Sequence, residues 1–232
     1  MTARNQTCTP SRLQHISLDI IGIKLEPIVN LASLHPVGAE VLSVLHPNLQ
    51  NERFFHRQPA AEALTLLEAQ LAALKNSAEA KNLFINLPIT VFTEHETFQR
   101  ILQLSTPPLN IEIVEPAAFF SLAGRLRARV IQRLQQLARL GHRIWLDDID
   151  EVLVQPFLSC QLPLSGIKID KEAFWRLRAT PALGQLVSLC FQLAENVLIE
   201  GIETERDHAC ALQSGAGLGQ GFYWPSWTWP ED

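Results

Sequence analysis

This sequence predicts an α/β fold, a modified (β/α)8, TIM-like barrel whose first strand runs antiparallel, and three observations carry the prediction. Eight short apolar runs punctuate the chain, and helical patterns lie between most of them. Only Asn30 to Pro36 separates the first two runs, too short a link for a helical crossover, so those two strands pair antiparallel. The length of 232 residues suits a single barrel of this kind.

The runs, in order, are Ile20 to Val29, Val37 to Leu45, Leu83 to Ile89, Ile111 to Glu115, Ile144 to Asp148, Gly166 to Asp170, Val197 to Ile202 and Leu218 to Trp224. Ala61 to Leu74 is rich in Ala, Leu and Glu, and Pro181 to Ala194 opens with a proline suited to a first helical turn. Leu126, Val130, Leu134 and Leu137 recur at helical spacing, and Gly141 stands where a C-terminal cap belongs. The arginines of that segment (Arg125, Arg127, Arg129, Arg133 and Arg139) fall mostly off its apolar face and read as a solvated surface. Residues 1–12 read as a flexible arm and 13–232 as one barrel domain. Trp224, Trp227 and Trp229, set among prolines, close the barrel or cover one of its ends, with a partner-binding patch as the lesser alternative.

Composition narrows the function classes. Hydrophobic residues make up 47% of the chain and charged residues 19%, enough apolar material for a large core. No apolar run is long enough to cross a bilayer, and Met1 to Pro10 lacks the apolar stretch of a signal peptide. A net charge of -5 argues against binding a nucleic-acid polymer. Cys8, Cys160, Cys190 and Cys210 show no CxxC spacing, so reduced thiols in a cytoplasmic protein are expected.

The chemistry lies in the polar residues that interrupt the apolar runs. Glu40, Asn86, Glu112, the pair Asp147-Asp148, Lys168 with Asp170, and Glu200 with Glu203 stand within or at the ends of successive strands. Each has an ordinary reading taken alone. Glu40 could be a solvated acid, Asn86 a turn residue before Leu87-Pro88, Asp147-Asp148 a helix cap, and Lys168 with Asp170 a surface pair. Ionised carboxylates in apolar strands are costly unless a cation or hydrogen bonds compensate them. Barrel active sites lie at the C-terminal ends of the strands. One divalent-metal site built from the whole chain accounts for all of these residues together.

The segments GAEVL, LFINLP, IEIVE, WLDDID, IKIDK, IEGIET and GQGFYW occur in the order and rough spacing of the EAL-domain family, over roughly Ile20 to Trp224. The chain resembles those bacterial phosphodiesterases, as a stand-alone member with a degenerate loop after its Asp-Asp pair. The resemblance implies metal-dependent hydrolysis of cyclic di-GMP to the linear dinucleotide pGpG, with two Mg2+ or Mn2+ ions. An all-oxygen ligand set suits either metal, and scattered histidines with no HExxH argue against zinc. By resemblance, Glu40, Asn86, Glu112 and Asp147 hold the first metal, and Asp147, Asp148 and Glu200 the second. Glu200 serves the attacking water as a metal ligand, a base or both, and Lys168 orients that water or offsets developing charge. Leu42, Glu115, Asp170, Glu203 and Gln220 support the metal ligands or meet the substrate.

The chain departs from the family pattern around these acids. Val41 replaces the alanine of the name motif, Glu26 stands where a glutamine precedes Pro-Ile-Val, and Val44 stands where an arginine approaches substrate phosphate. Ile149, Asp150, Glu151 and Val152 replace a Phe-Gly-x-Gly loop tied to dimerisation, and they contain no glycine. Two readings follow: an active phosphodiesterase, possible as a homodimer, or a weakly catalytic EAL-like regulator that acts by binding a protein partner.

Overall fold

The first two apolar runs fold back on each other, as the short link between them requires. β1 (Ile20–Asn30) and β2 (Pro36–Leu45) pair antiparallel. The turn is held by Asn30, whose Oδ1 accepts from the backbone N–H groups of Ala32 at 3.1 Å and Ser33 at 2.9 Å. The computed structural model describes residues 19–46, 59–75, 77, 81–104 and 106–229; the expected arm, residues 1–12, and Cys8 lie outside them.

After β2, the strands β3 (Leu83–Pro88), β4 (Asn110–Val114), β5 (Arg143–Ile149), β6 (Leu164–Ile169), β7 (Asn196–Ile199) and β8 (Leu218–Gly219) follow in parallel order. β8 then pairs antiparallel with β1 and closes an eight-stranded barrel with one reversed strand. β8 reaches only Val29 and Asn30 of β1. A ninth strand, β9 (Trp227–Trp229), pairs with Ile23, Lys24 and Leu25 and so continues the seam. The tryptophan-rich tail therefore closes the barrel.

Two strands are shorter than their apolar runs. The seventh run ends as a strand at Ile199 and the eighth at Gly219, short of Ile202 and Trp224. The cause is visible at Gly221, which has φ 148° and packs so closely that a Cβ there would lie 2.3 Å from the Ile202 carbonyl oxygen. A continued strand cannot make that approach.

The helices form the outer layer: α1 (Ala60–Leu74), α2 (His95–Leu102), α3 (Ala118–Ser121), α4 (Gly124–Arg139), α5 (Val154–Phe157), α6 (Lys171–Leu177), α7 (Ala182–Phe191) and α8 (Glu205–Gln213). In α4 the expected apolar stripe is buried at Val130, Leu134 and Leu137, while Arg125, Arg129 and Arg139 are exposed. Gly141, at φ 93°, ends it as expected. Strand alternation then separates two apolar layers. Ile23 and Leu25 of β1 belong to the layer beneath the helices. Ile28, Phe84, Trp145 and Leu198 form a separate cluster inside the barrel, with Phe84 edge-on to Trp145 at 5.1 Å between ring centroids. Truncating a buried aromatic of this kind costs about 3–5 kcal/mol, so this plug is a firm floor for what lies above it.

Candidate active site

Because side chains alternate along a strand, one inward residue per strand is enough to build a ring of polar groups above the plug. Glu40 on β2, Asn86 on β3, Glu112 on β4, Asp147 on β5 and Lys168 on β6 meet there, joined by Glu200 just after β7 and Gln220 just after β8. Lys168 is the hub. Its Nζ lies 3.2 Å from Glu40 Oε2, 3.2 Å from Glu112 Oε2, 3.1 Å from Asp147 Oδ1 and 2.7 Å from Glu200 Oε1. Glu40 also accepts from Asn86 Nδ2 and from Gln220 Nε2, each at 2.6 Å.

Asp147 and Asp148 are adjacent, and in a regular strand their side chains would point to opposite faces. The β5–β6 register shifts between Leu146 and Ile149, and Asp148 has φ 52°. That irregularity lets both carboxylates reach the same place: single oxygens of Asp147, Asp148 and Glu200 lie within 4.8 Å of one another. Glu115, at φ 51°, ends β4 with a similar kink.

These five acids around one buried lysine repel one another. Burial, then the charge of Glu40, pushes Glu112 well above the ordinary carboxylate range. Burial also raises Asp147, lifts Asp148 to about 7 with help from Asp147, and lifts Glu200 to about 8 against the pull of Lys168. Burial pushes Glu40 up as well, but Lys168 and the bonds from Gln220 and Asn86 prevail and hold it below its ordinary value. Lys168 is opposed by burial yet held well above its usual value by Asp147, Glu112, Glu200 and Glu40.

A pH dependence follows. In the unfolded chain these carboxyls titrate near about 4, whereas in the fold Asp148 and Glu200 keep their protons to about 7 and 8. Groups raised in this way contribute stability that is full below about 4 and lost as pH rises through the folded values. Glu40 has the opposite sign, and its contribution is lost only below that window. The metal-free protein is therefore expected to melt at progressively lower temperature from pH 5 to pH 8, and Mg2+ or Mn2+ to raise the melting temperature more at pH 8 than at pH 6. Melting curves in excess chelator that rise steadily across this range would refute it.

The remaining residues singled out in the sequence divide. Gln220 is buried at the centre. Leu42 lies on β2 between Glu40 and Val44, on the same face. Asp170 caps α6, with Oδ2 accepting from Ala173 N at 3.2 Å, and its charge also contributes to raising Asp148. Glu115 and Glu203 are exposed at the rim. In the glycine-free loop, Asp150 Oδ1 accepts from the N–H groups of Val152 at 3.0 Å and Leu153 at 2.6 Å, so an Asp-anchored turn leads into α5. Lys24, which the sequence did not single out, lies two residues from Glu26, and strand alternation puts the two on one face of β1.

The ring suits a divalent cation. Asn86 Oδ1 and Glu112 Oε1 are buried and accept no hydrogen bond, and Asp147 Oδ1 meets Lys168 Nζ at 3.1 Å. Donorless buried oxygens are costly unless a cation meets them, and an oxygen-only set matches Mg2+ or Mn2+. A hollow of about 700 Å3 opens at the other end of the barrel, beside Asn82, Arg143 and Asn196. Its asparagines are already engaged there, Asn82 with the Val37 carbonyl and Asn196 with that of Ser165.

Fold and site together define a closed α/β barrel with one reversed strand and an acidic centre at the C-terminal ends of its strands. The EAL domain model matches residues 11–225, and the chain belongs to that family. It is 23% identical over 214 residues to cyclic di-GMP phosphodiesterase TpdA of Vibrio parahaemolyticus, covering 88% of this chain and 36% of that protein. The chain thus spans about a third of that relative's length. Among solved structures, the PaMucR phosphodiesterase in complex with c-di-GMP superposes with TM-score 0.64 at 21% identity, covering 86% of this chain and 88% of that one. An EAL domain protein from Listeria monocytogenes superposes with TM-score 0.67 at 19% identity, over 97% and 94%. Among the described residues, no helix is long and apolar enough to cross a membrane.

Proposed function

We propose that this chain is a metal-dependent phosphodiesterase that hydrolyses cyclic di-GMP to linear pGpG in the bacterial cytoplasm. The observation that carries the reading is the pair of buried oxygens without donors, Asn86 Oδ1 and Glu112 Oε1, beside the clustered carboxylates of Asp147, Asp148 and Glu200. Membership of the EAL family and the named activity of TpdA support it.

Glu40, Asn86, Glu112 and Asp147 would hold one Mg2+ or Mn2+, and Asp147, Asp148 and Glu200 a second. When bound, the metals neutralise the phosphate oxygens and lower the pKa of the attacking water. Glu200 accepts a proton from that water as its oxygen bonds to phosphorus. The bond from phosphorus to the 3′ oxygen breaks, and that oxygen takes up a proton from solvent water, leaving a 5′-phosphate and a 3′-hydroxyl. Lys168, held beneath the acids, fixes their carboxylate geometry and offsets charge that develops on the phosphate. The decisive assay incubates purified protein with cyclic di-GMP and Mg2+ or Mn2+ and looks for the linear product; none with either metal would sink the reading.

A regulator acting through a protein partner is the second reading, favoured by Val152, 73% exposed in the glycine-free loop. A tight complex with an unrelated protein, unchanged by Glu40→Ala, would favour it. The same loop bears on self-association. In the phosphodiesterase reading it sits near the homodimer interface but packs without glycine turns, so a concentration-dependent dimer is expected. Light scattering that shows only monomer at high protein concentration would rule this out.

A further inference from the structure

Two inward positions of β1 and β2 face each other at the level of the acids, Glu26 opposite Glu40, and the next inward pair toward the mouth is Lys24 opposite Leu42. One step further out, Val44 lies opposite Gly22, so Lys24 and Val44 are diagonal neighbours on one face of the hairpin. Lys24 Nζ lies 2.5 Å from Glu26 Oε1 and 5.4 Å from the centroid of the exposed Phe222 ring. Glu26 Oε2 in turn accepts from Gln220 Nε2 at 3.2 Å, and that same amide donates to Glu40. An ammonium has three donors, and one acceptor is seen on Lys24 among the described residues.

Two other cations are committed elsewhere. Lys168 is 1% exposed beneath four carboxylates. Arg133 of α4 is tied to the carbonyls of Phe92 at 2.9 Å and Glu94 at 2.7 Å, in the outer layer. Lys24, at 29% side-chain exposure, has its charge one inward step above the acids, beside apolar Leu42 and Val44.

We propose that Lys24 is a substrate-positioning residue whose ammonium binds a phosphodiester oxygen of the cyclic dinucleotide, with Glu26 as the group that holds it in place before substrate arrives. The proposal rests on the phosphodiesterase reading above. It also assigns Glu26 a use: a carboxylate facing an anionic substrate is tolerable because Lys24 neutralises it and Gln220 hydrogen-bonds it. The reach of a lysine across the hairpin diagonal brings positive charge toward Val44.

The test measures cyclic di-GMP dissociation constants in Ca2+, where binding persists and turnover is low, alongside KM in Mg2+. Lys24→Gln should weaken binding about ten- to a hundredfold, the range for losing one charge-assisted hydrogen bond. KM should rise with it, and the salt dependence of binding should flatten. Lys24→Arg should retain most of the affinity. Val44→Arg placed in the Lys24→Gln protein should restore part of it from the diagonal position. The double variant Lys24→Gln with Glu26→Gln separates phosphate binding from mere neutralisation of Glu26: it should stay weak, and recovery of parental affinity would overturn the proposal. Melting curves verify that each variant is folded. Parental affinity in folded Lys24→Gln would remove the role of Lys24 alone, whereas a parent that fails to bind cyclic di-GMP in Ca2+ would remove the phosphodiesterase reading and this role together.

Discussion

Glu40→Ala and Asp147→Ala should each abolish cyclic di-GMP hydrolysis and weaken metal binding in parallel, while differing in their effect on stability. Glu40 is a junction: it accepts from Asn86, Gln220 and Lys168. Removing it strands the part-buried amide of Asn86 and leaves Gln220 Nε2 with Glu26 alone, at about 1–3 kcal/mol for a group left unsatisfied. Asp147 is different. Its carboxyl is raised by burial and by Glu40, and it helps to raise Asp148. Its removal relieves repulsion, so the metal-free Asp147→Ala protein should melt near the parental temperature. Turnover should fall in both variants by more than about a hundredfold, the upper end of losses when a group that merely supports a metal site is removed. Calorimetric titration with Mn2+ and product analysis in Mg2+ measure the two effects side by side. Full activity of the parent in excess chelator, or parental turnover in either variant, would show that the acid ring does not carry the reaction.

Much of this site was legible in the sequence because a parallel barrel turns linear order into geometry. Once Glu40, Asn86, Glu112, Asp147 and Lys168 fall on successive strands, strand alternation and barrel closure leave few places for them other than one ring. The reversed first strand was equally legible, since Asn30 to Pro36 cannot span a crossover. What escaped depends on contacts distant in sequence. Asp170 is the exception: its cap on α6 is a local bond from Ala173, but Asp170 in IKIDK reads as a supporting acid. The early ends of β7 and β8 come from the packing of Gly221 against Ile202, 19 residues apart in the chain. Lys24 was missed because a lysine next to a glutamate on a strand resembles an ordinary surface pair. Only the register Lys24 to Leu42, fixed by the hairpin, places it above the acids. The role of Trp227 to Trp229 as the barrel's last seam follows from how little of β1 the two-residue β8 covers.

Glu200→Gln should cost at least about a hundredfold in turnover and little or nothing in stability. Glu200 follows β7 directly, with its N–H donating to the Ile169 carbonyl at 3.1 Å, and its backbone position does not depend on its charge. Gly201 next to it has φ 75° and its carbonyl accepts from Trp175 Nε1 at 2.7 Å, which fixes the loop from the other side. Glutamine therefore keeps the shape while removing the ligand charge and the proton acceptor that the proposed reaction assigns to Glu200. Lys168 retains Glu40, Glu112 and Asp147 as anionic neighbours. The carboxyl of Glu200 is raised to about 8, so at neutral pH and above it opposes folding of the metal-free protein. Its removal should flatten the fall in melting temperature between pH 6 and pH 8, and should slightly raise the melting temperature at pH 8 in chelator. Loss of turnover together with that flattened pH profile separates a chemical role from simple disruption, which would lower the melting temperature throughout. Parental rates of pGpG formation by Glu200→Gln would show that another group serves the water, and Asp148, whose carboxyl is raised to about 7 beside it, would be the next residue to replace.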